Sequence, residues 1–512
     1  MPSCPTRTPR SPSRDKNDHR KKRSMSTTAE HGGTASLDPD RPTRKLTGKL
    51  GTFDIVFTVL AFNGPFAGFV GFSPVIIGSG NTLAAPVMFI VAGVVLLLFT
   101  VGFTAMGRHL PNPGGFYAYI TAGLGKPLGL GASFLALLTY LAILSCSYVY
   151  GGIGLDQLIT QTFHGPDMSE WILALVLVVV VAVLGYFEIS LSAKVLTVLL
   201  CVEVVVIVAF NLVTFATGGA EGNTVTPFSP HNIFSGNLGL AVLFGFLCFG
   251  GFEATAIFRE EARDPEKTIP RATYIAVLVL TVLYAVTTWA LVVAVGPSTV
   301  IHKTAADPVG TAMGALGSIL GHTIEEVVTA LLCTSIFAAV LSIHNVAARY
   351  MYSLSVDRVF PAVLSRVHAK HGSPYVASIV TSVISVIVIL AALSVGVSPS
   401  RVYVLLSGIG GYSMLILLFL ASIAVIGYFA RRRALESSRW RTVIAPALAA
   451  AGLLVGLILG TTSFTILISG GRGLATLLIL ILYGVFALGV VLAVVYKRSK
   501  PDTYARIGRD TA

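Results

Sequence analysis

Hydrophobic positions in this chain come in long blocks separated by short polar stretches. Blocks such as Trp171–Gly185, Val195–Val213 and Leu474–Val495 approach or exceed the ~20 residues that cross a ~30 Å hydrocarbon layer. Inside that layer no water satisfies the backbone, so each block must close its own hydrogen bonds as a helix. A membrane β-barrel would show alternating segments of ~10 residues, and the sequence has no such run. The pattern predicts about twelve transmembrane helices, at 54–78, 83–107, 129–160, 170–187, 191–216, 236–258, 272–296, 323–345, 375–396, 402–429, 442–460 and 473–496. Residues 1–49 are rich in Arg, Lys, Ser, Thr and Pro and lack apolar periodicity, which reads as a disordered basic tail. No apolar h-region follows its basic cluster, so it does not read as a secretory signal. Met25 opens a more ordinary leader, which marks residues 1–24 as candidate upstream sequence.

Composition supports an integral membrane protein. The chain of 512 residues is 54% hydrophobic and 12% charged, too little charge for the surface of a soluble protein of that length. The net charge of +12 would suit a nucleic-acid partner, but the cations sit between and outside the apolar blocks. They set orientation instead. With the N-terminus inside, only Lys303, Arg401 and Arg472 of the 36 lysines and arginines fall in outside segments, so both termini are expected in the cytoplasm. Four of the five cysteines, Cys146, Cys201, Cys248 and Cys333, lie in apolar blocks without metal-ligand spacing and read as small hydrophobic residues.

Two blocks carry interruptions. Span one contains Asn63-Gly64-Pro65-Phe66-Ala67-Gly68, and span six contains Phe249-Gly250-Gly251-Phe252-Glu253. Pro65 lacks a backbone donor and clashes with the preceding turn, and the glycines beside it weaken helix further. Both helices should break near mid-membrane. Paired breaks at matching places in two halves point to a transporter binding site. Freed amides at a half-helix start can hold a carboxylate, and freed carbonyls can hold an ammonium group. The alternative is that the glycines only allow close helix packing.

Three stretches then resemble the amino acid–polyamine–organocation (APC) permease superfamily. They are Pro111-Asn112-Pro113-Gly114-Gly115-Phe116-Tyr117-Ala118-Tyr119, Gly251-Phe252-Glu253 leading into Glu260-Glu261-Ala262-Arg263-Asp264-Pro265 and Ile269-Pro270-Arg271, and Asn345–Tyr352 with Asp357 and Pro361. The resemblance implies a leucine-transporter-like fold, a five-plus-five inverted repeat over residues 50–430. Two further helices follow over 431–496, with a cytoplasmic tail over 497–512. It implies a bacterial plasma-membrane permease importing amino acids by alternating access, with proton coupling preferred over sodium. It places substrate against Asn63, Gly64, Pro65, Phe66, Ala67, Gly68, Phe249, Gly250, Gly251 and Phe252, and implies no cofactor, metal or nucleic acid. Where many members have a glycine cluster in span one, this chain has Asn63-Gly64-Pro65. Pro65 offers no amide, which gives weight to an amine or polyamine substrate; an exchanger is a further alternative.

Glu203 and Glu253 fall inside predicted spans. Intramembrane carboxylates are expensive and mark function by default, and burial disfavours the charged form. Glu253 matches a family position tied to the span-six break and Glu203 one where proton-coupled relatives carry Lys, so both are proton-coupling candidates; the alternatives are a cap on the break and a structural hydrogen bond. His344 and Asn345 are expected at the inner end of span eight as helix-end groups. Arg259, Glu260, Glu261, Arg263 and Asp264 are expected to form a cytoplasmic gate or hinge with Arg349 and Asp357.

A membrane enzyme lacks a motif here: there is no His-Glu-x-x-His, Gly-x-Gly-Asp or Gly-x-Ser-x-Gly. A channel would need a repeated carbonyl or charge filter, which is also missing. A nutrient sensor on the same fold would bind ligand without flux.

Overall fold

The computed structural model describes residues 51–110, 115–187, 193–253, 255, 262–368, 373–467 and 471–509. The basic tail, Pro111–Gly114 and the gate residues Arg259, Glu260 and Glu261 lie outside the described residues.

The described chain is all-α. Nine helices are long and apolar enough to cross a membrane, and a bent pair, Thr52–Asn63 with Pro65–Gly80, makes a tenth span. Glu170–Tyr186 and the short Leu238–Leu247 fall at the fourth and sixth predicted positions. Of the expected span six, 236–258, regular helix covers Leu238–Leu247 and stops where the glycine-rich break begins; residues 254 and 256–258 lie outside the described residues.

Spans seven and eight run past their predicted inner ends. Span seven is Pro265–Val295, not 272–296: Pro265 occupies the first turn, where its missing donor costs nothing. Span eight is His322–Val356, not 323–345. Its last eleven residues are too polar to read as membrane span, yet they continue the helix because they pack against other protein. Arg349 therefore sits on a helix, not in the loop expected there. His344 likewise lies inside the helix, fully buried, its ring 2.9 Å from Ser378 Oγ of span nine. Short helices at Gly115–Leu124, Val300–Ala306 and Pro308–Leu320 were not expected from hydropathy.

The remaining spans are Ala85–Gly107, Lys126–Gln157, Ala193–Thr217, Tyr375–Ser394, Pro399–Arg431, Ala445–Thr462 and Arg472–Ser499. Span three, Lys126–Gln157, is the central post: spans four, eight, ten and twelve all pack along it. Peripheral spans expose one apolar face, as Val198, Val205 and Leu212 do on span five. On that same span Leu200, Glu203, Ile207, Phe210 and Thr214 are buried, a stripe at helical spacing. The stripe turns Glu203 inward while valines face outward.

The segment after span twelve folds back on the protein. Lys126 Nζ donates to the Ala505 and Tyr504 carbonyls at 2.7 and 3.2 Å. Ile507 is fully buried, and the Gly508 amide donates to Tyr117 Oη at 2.7 Å.

Candidate functional site

Both breaks form where the sequence places them. Gly64 takes φ +59°, a left-handed conformation that glycine adopts without penalty, and its amide still bonds the Leu60 carbonyl at 3.0 Å. Pro65 then opens the second half-helix, and the two halves bend by 44°. In span six, Gly251 takes φ +101°, and a Cβ there would lie 2.0 Å from Phe62 Cδ1. Glycine lets the two broken spans touch.

Asn63 clamps them together. Its Nδ2 donates to the Cys248 and Gly250 carbonyls at 2.7 and 2.9 Å, and its Oδ1 accepts from Tyr284 Oη of span seven at 2.5 Å. Both amide hydrogens and the carbonyl are used, so one side chain joins three spans.

The two intramembrane carboxylates are also engaged. Glu203, 4% exposed, accepts through Oε2 from the Phe66 amide at 3.3 Å and from Ser335 Oγ at 3.1 Å. Ser335 Oγ in turn accepts from the Ala67 amide at 3.4 Å. Freed donors at a half-helix start favour an anion; here the protein's own carboxylate and hydroxyl fill that place. Glu253 is buried, accepting from Tyr140 Oη at 2.7 Å and from the Gly251 amide at 2.9 Å. It caps the break of its own span.

Beside the breaks lies a cavity with about 80 Å³ open to the centre of a water molecule. At roughly 10–15 Å³ per water in that measure, it holds several waters or a small solute. Its walls are aromatic and aliphatic, and none of its lining residues is Asp, Glu, Lys, Arg or His. Of the residues expected to hold substrate, Asn63, Ala67, Gly68, Gly250 and Gly251 line it. Gly64, Pro65, Phe66, Phe249 and Phe252 are buried behind that wall; Phe252, for example, packs edge-on against Phe99 at 5.8 Å. The sequence reading missed Tyr140, Tyr150, Tyr284 and Tyr403, all lining residues. Their signal was a hydroxyl in an apolar helix, which needs a partner when buried. Phe72, Tyr403 and Tyr150 stack across one side, with ring centroids 5.7 and 4.9 Å apart.

The gate candidates that are described lie apart from the cavity lining. Arg263 is exposed, and Asp264 pairs with Lys267 at 3.2 Å. Asp357, just past the end of span eight, is buried and accepts from Tyr117 Oη at 2.9 Å. Tyr117 thus bridges span eight to the folded-back C-terminal segment.

The chain is similar in sequence to known permeases. The chain is 27% identical over 356 residues to the branched-chain amino acid permease BcaP of Bacillus subtilis, covering 65% of this chain and 73% of that protein. It is 24% identical over 379 residues to the lysine-specific permease LysP of Lactococcus lactis, 70% of this chain and 71% of that protein. It is 23% identical over 311 residues to the low-affinity putrescine importer PlaP of Escherichia coli, 59% of this chain and 66% of that protein. The family model described as "Amino acid permease" matches residues 50–496. Together with the all-helical membrane architecture and the paired breaks, that match makes this chain a multi-pass transporter rather than an enzyme, and it belongs to the amino acid permease family.

Proposed function

We propose that the protein imports an amino acid with an uncharged, apolar side chain across a bacterial plasma membrane, by proton-coupled alternating access. The observation that carries this reading is the cavity at the two breaks, walled by apolar and aromatic groups without a formal charge. A zwitterion brings its own balancing charges and asks for none from the wall. A lysine-like side chain would bury an unpaired cation there, at a cost of several kcal/mol. The similarity to a branched-chain permease supports the same substrate class.

In this reading substrate sits on Asn63, Ala67, Gly68, Gly250 and Gly251, with the Cys248 and Gly250 carbonyls offering lone pairs to the ammonium group. Gly64, Pro65, Phe66, Phe249 and Phe252 shape the breaks. Glu203 is the proton-coupling group: its protonation weakens its hold on the Phe66 amide and on Ser335, loosening span one against span eight. Glu253 orders the span-six break. In this reading both termini lie in the cytoplasm, which the Lys and Arg distribution supports, with Asp264, Arg349 and Asp357 on that face.

A second reading is an amine or polyamine permease. One observation favours it: the Phe66 and Ala67 amides, natural donors for a substrate carboxylate, are taken by Glu203 and Ser335. Reconstitution in liposomes with an internal pH dye separates the readings. Internal acidification on adding branched-chain amino acids supports the first, and a response to putrescine alone supports the second. Labelled-substrate flux without a pH change indicates exchange or sodium coupling, and binding without flux indicates a sensor.

A further inference from the structure

Tyr403 is buried to 4% exposure, yet its hydroxyl has no hydrogen-bond partner among the described residues. A buried hydroxyl left unpaired is destabilising, so one that lines a cavity is a candidate for contact with what enters it. Its ring is fixed by stacking on Phe72 and Tyr150. Its oxygen lies over Gly71, where a Cβ would approach to 2.6 Å; the bare glycine leaves the hydroxyl its niche.

The other hydroxyls of the lining are committed. Tyr150 donates to the Ala67 carbonyl, Tyr284 to Asn63, Tyr140 to Glu253, Ser147 to the Ile143 carbonyl and Ser407 to the Val404 carbonyl. The Asn63 amide hydrogens are spent on span six, and the Phe66 and Ala67 amides on Glu203 and Ser335. A carboxylate entering this cavity therefore meets one hydroxyl donor not already in use.

We propose that the Tyr403 hydroxyl donates to the substrate carboxylate, taking the place of the half-helix amides that Glu203 and Ser335 occupy. The inference rests on the amino acid reading above and answers the observation that favoured an amine. It makes Tyr403 the residue that distinguishes an amino acid from its decarboxylated amine.

The test is Tyr403→Phe, which keeps the stacked ring and removes only the oxygen. In proteoliposomes, KM for L-leucine should rise about tenfold or more with kcat held. Inhibition of that uptake by 3-methylbutylamine, which is leucine without its carboxyl group, should be unchanged. A companion measurement needs no flux: at one leucine concentration the rise in melting temperature should be smaller for the variant than for the unmodified protein, while the amine acts equally on both. An unchanged leucine KM, or equal weakening of leucine and amine, overturns the proposal. An unmodified protein that neither binds nor moves any amino acid overturns the amino acid reading itself, before the variant is made.

Discussion

The carboxylate of Glu203 sits 3.3 Å from the Phe66 amide, at the start of the second half of span one. This contact joins span five to the helix break and, through Ser335, to span eight.

Glu203→Gln keeps an acceptor for Phe66 and removes the titratable proton. Leucine-driven proton uptake should be lost while leucine counterflow, which needs no net coupling, stays within about twofold. Unchanged proton uptake in the variant removes Glu203 from the coupling step. Glu203→Leu should do worse, since two buried donors lose their acceptor at about 1–3 kcal/mol each.

Asn63 and Tyr284 act as one unit. Asn63→Leu should lower transport at least tenfold with normal membrane insertion, and Tyr284→Phe should lower it less. The double variant should fall no further than Asn63→Leu alone, because residues sharing one hydrogen-bond network are not additive. Additive losses would show that the two side chains work separately.

Gly251→Ala should be poorly tolerated. The substitution forces a left-handed backbone on alanine and drives its Cβ into Phe62. A loss of at least 1–2 kcal/mol is expected, read as a lower melting temperature in detergent. Trimming Phe62 to Ala in the same chain should restore only the part due to the clash.

Cys146 and Cys248 line the cavity, whereas Cys201 is exposed on the outer face of span five. In a chain with Cys4, Cys201 and Cys333 replaced by Ala, substrate should slow labelling by a small methanethiosulfonate several-fold. Equal rates with and without substrate would move the binding site elsewhere.

Gly508 takes φ +79°, and a Cβ there would lie 2.4 Å from Thr121 Cγ2. Gly508→Ala should undock the C-terminal segment, seen as trypsin cleavage after Arg506 roughly 5–30-fold faster, the factor that 1–2 kcal/mol gives. Cleavage at the original rate would mean that the Lys126 contacts alone hold it.

The membrane dictated what could be read in advance. Hydrocarbon thickness makes each span visible as an apolar block, and Gly64-Pro65 and Gly250-Gly251 announce their breaks locally. Where spans seven and eight leave the membrane, Pro265 and Arg349 lie on helix held by neighbouring protein, which hydropathy does not register. The site was half legible for a related reason. Asn63 stood beside the break, but its partners Cys248 and Tyr284 are 185 and 221 positions away, so nothing local revealed the clamp. Tyr403 reads as one more apolar aromatic until its hydroxyl is seen to lack a partner.

The uncharged cavity wall has an electrical consequence. A zwitterion crossing on a neutral wall moves no net charge, so the membrane voltage does no work on the substrate itself. About 2.3 kcal/mol per elementary charge per 100 mV then acts only on the coupling ion. If transport is ion-coupled as proposed, inward current should appear with substrate and track the ion count one for one, whichever uncharged side chain the amino acid carries.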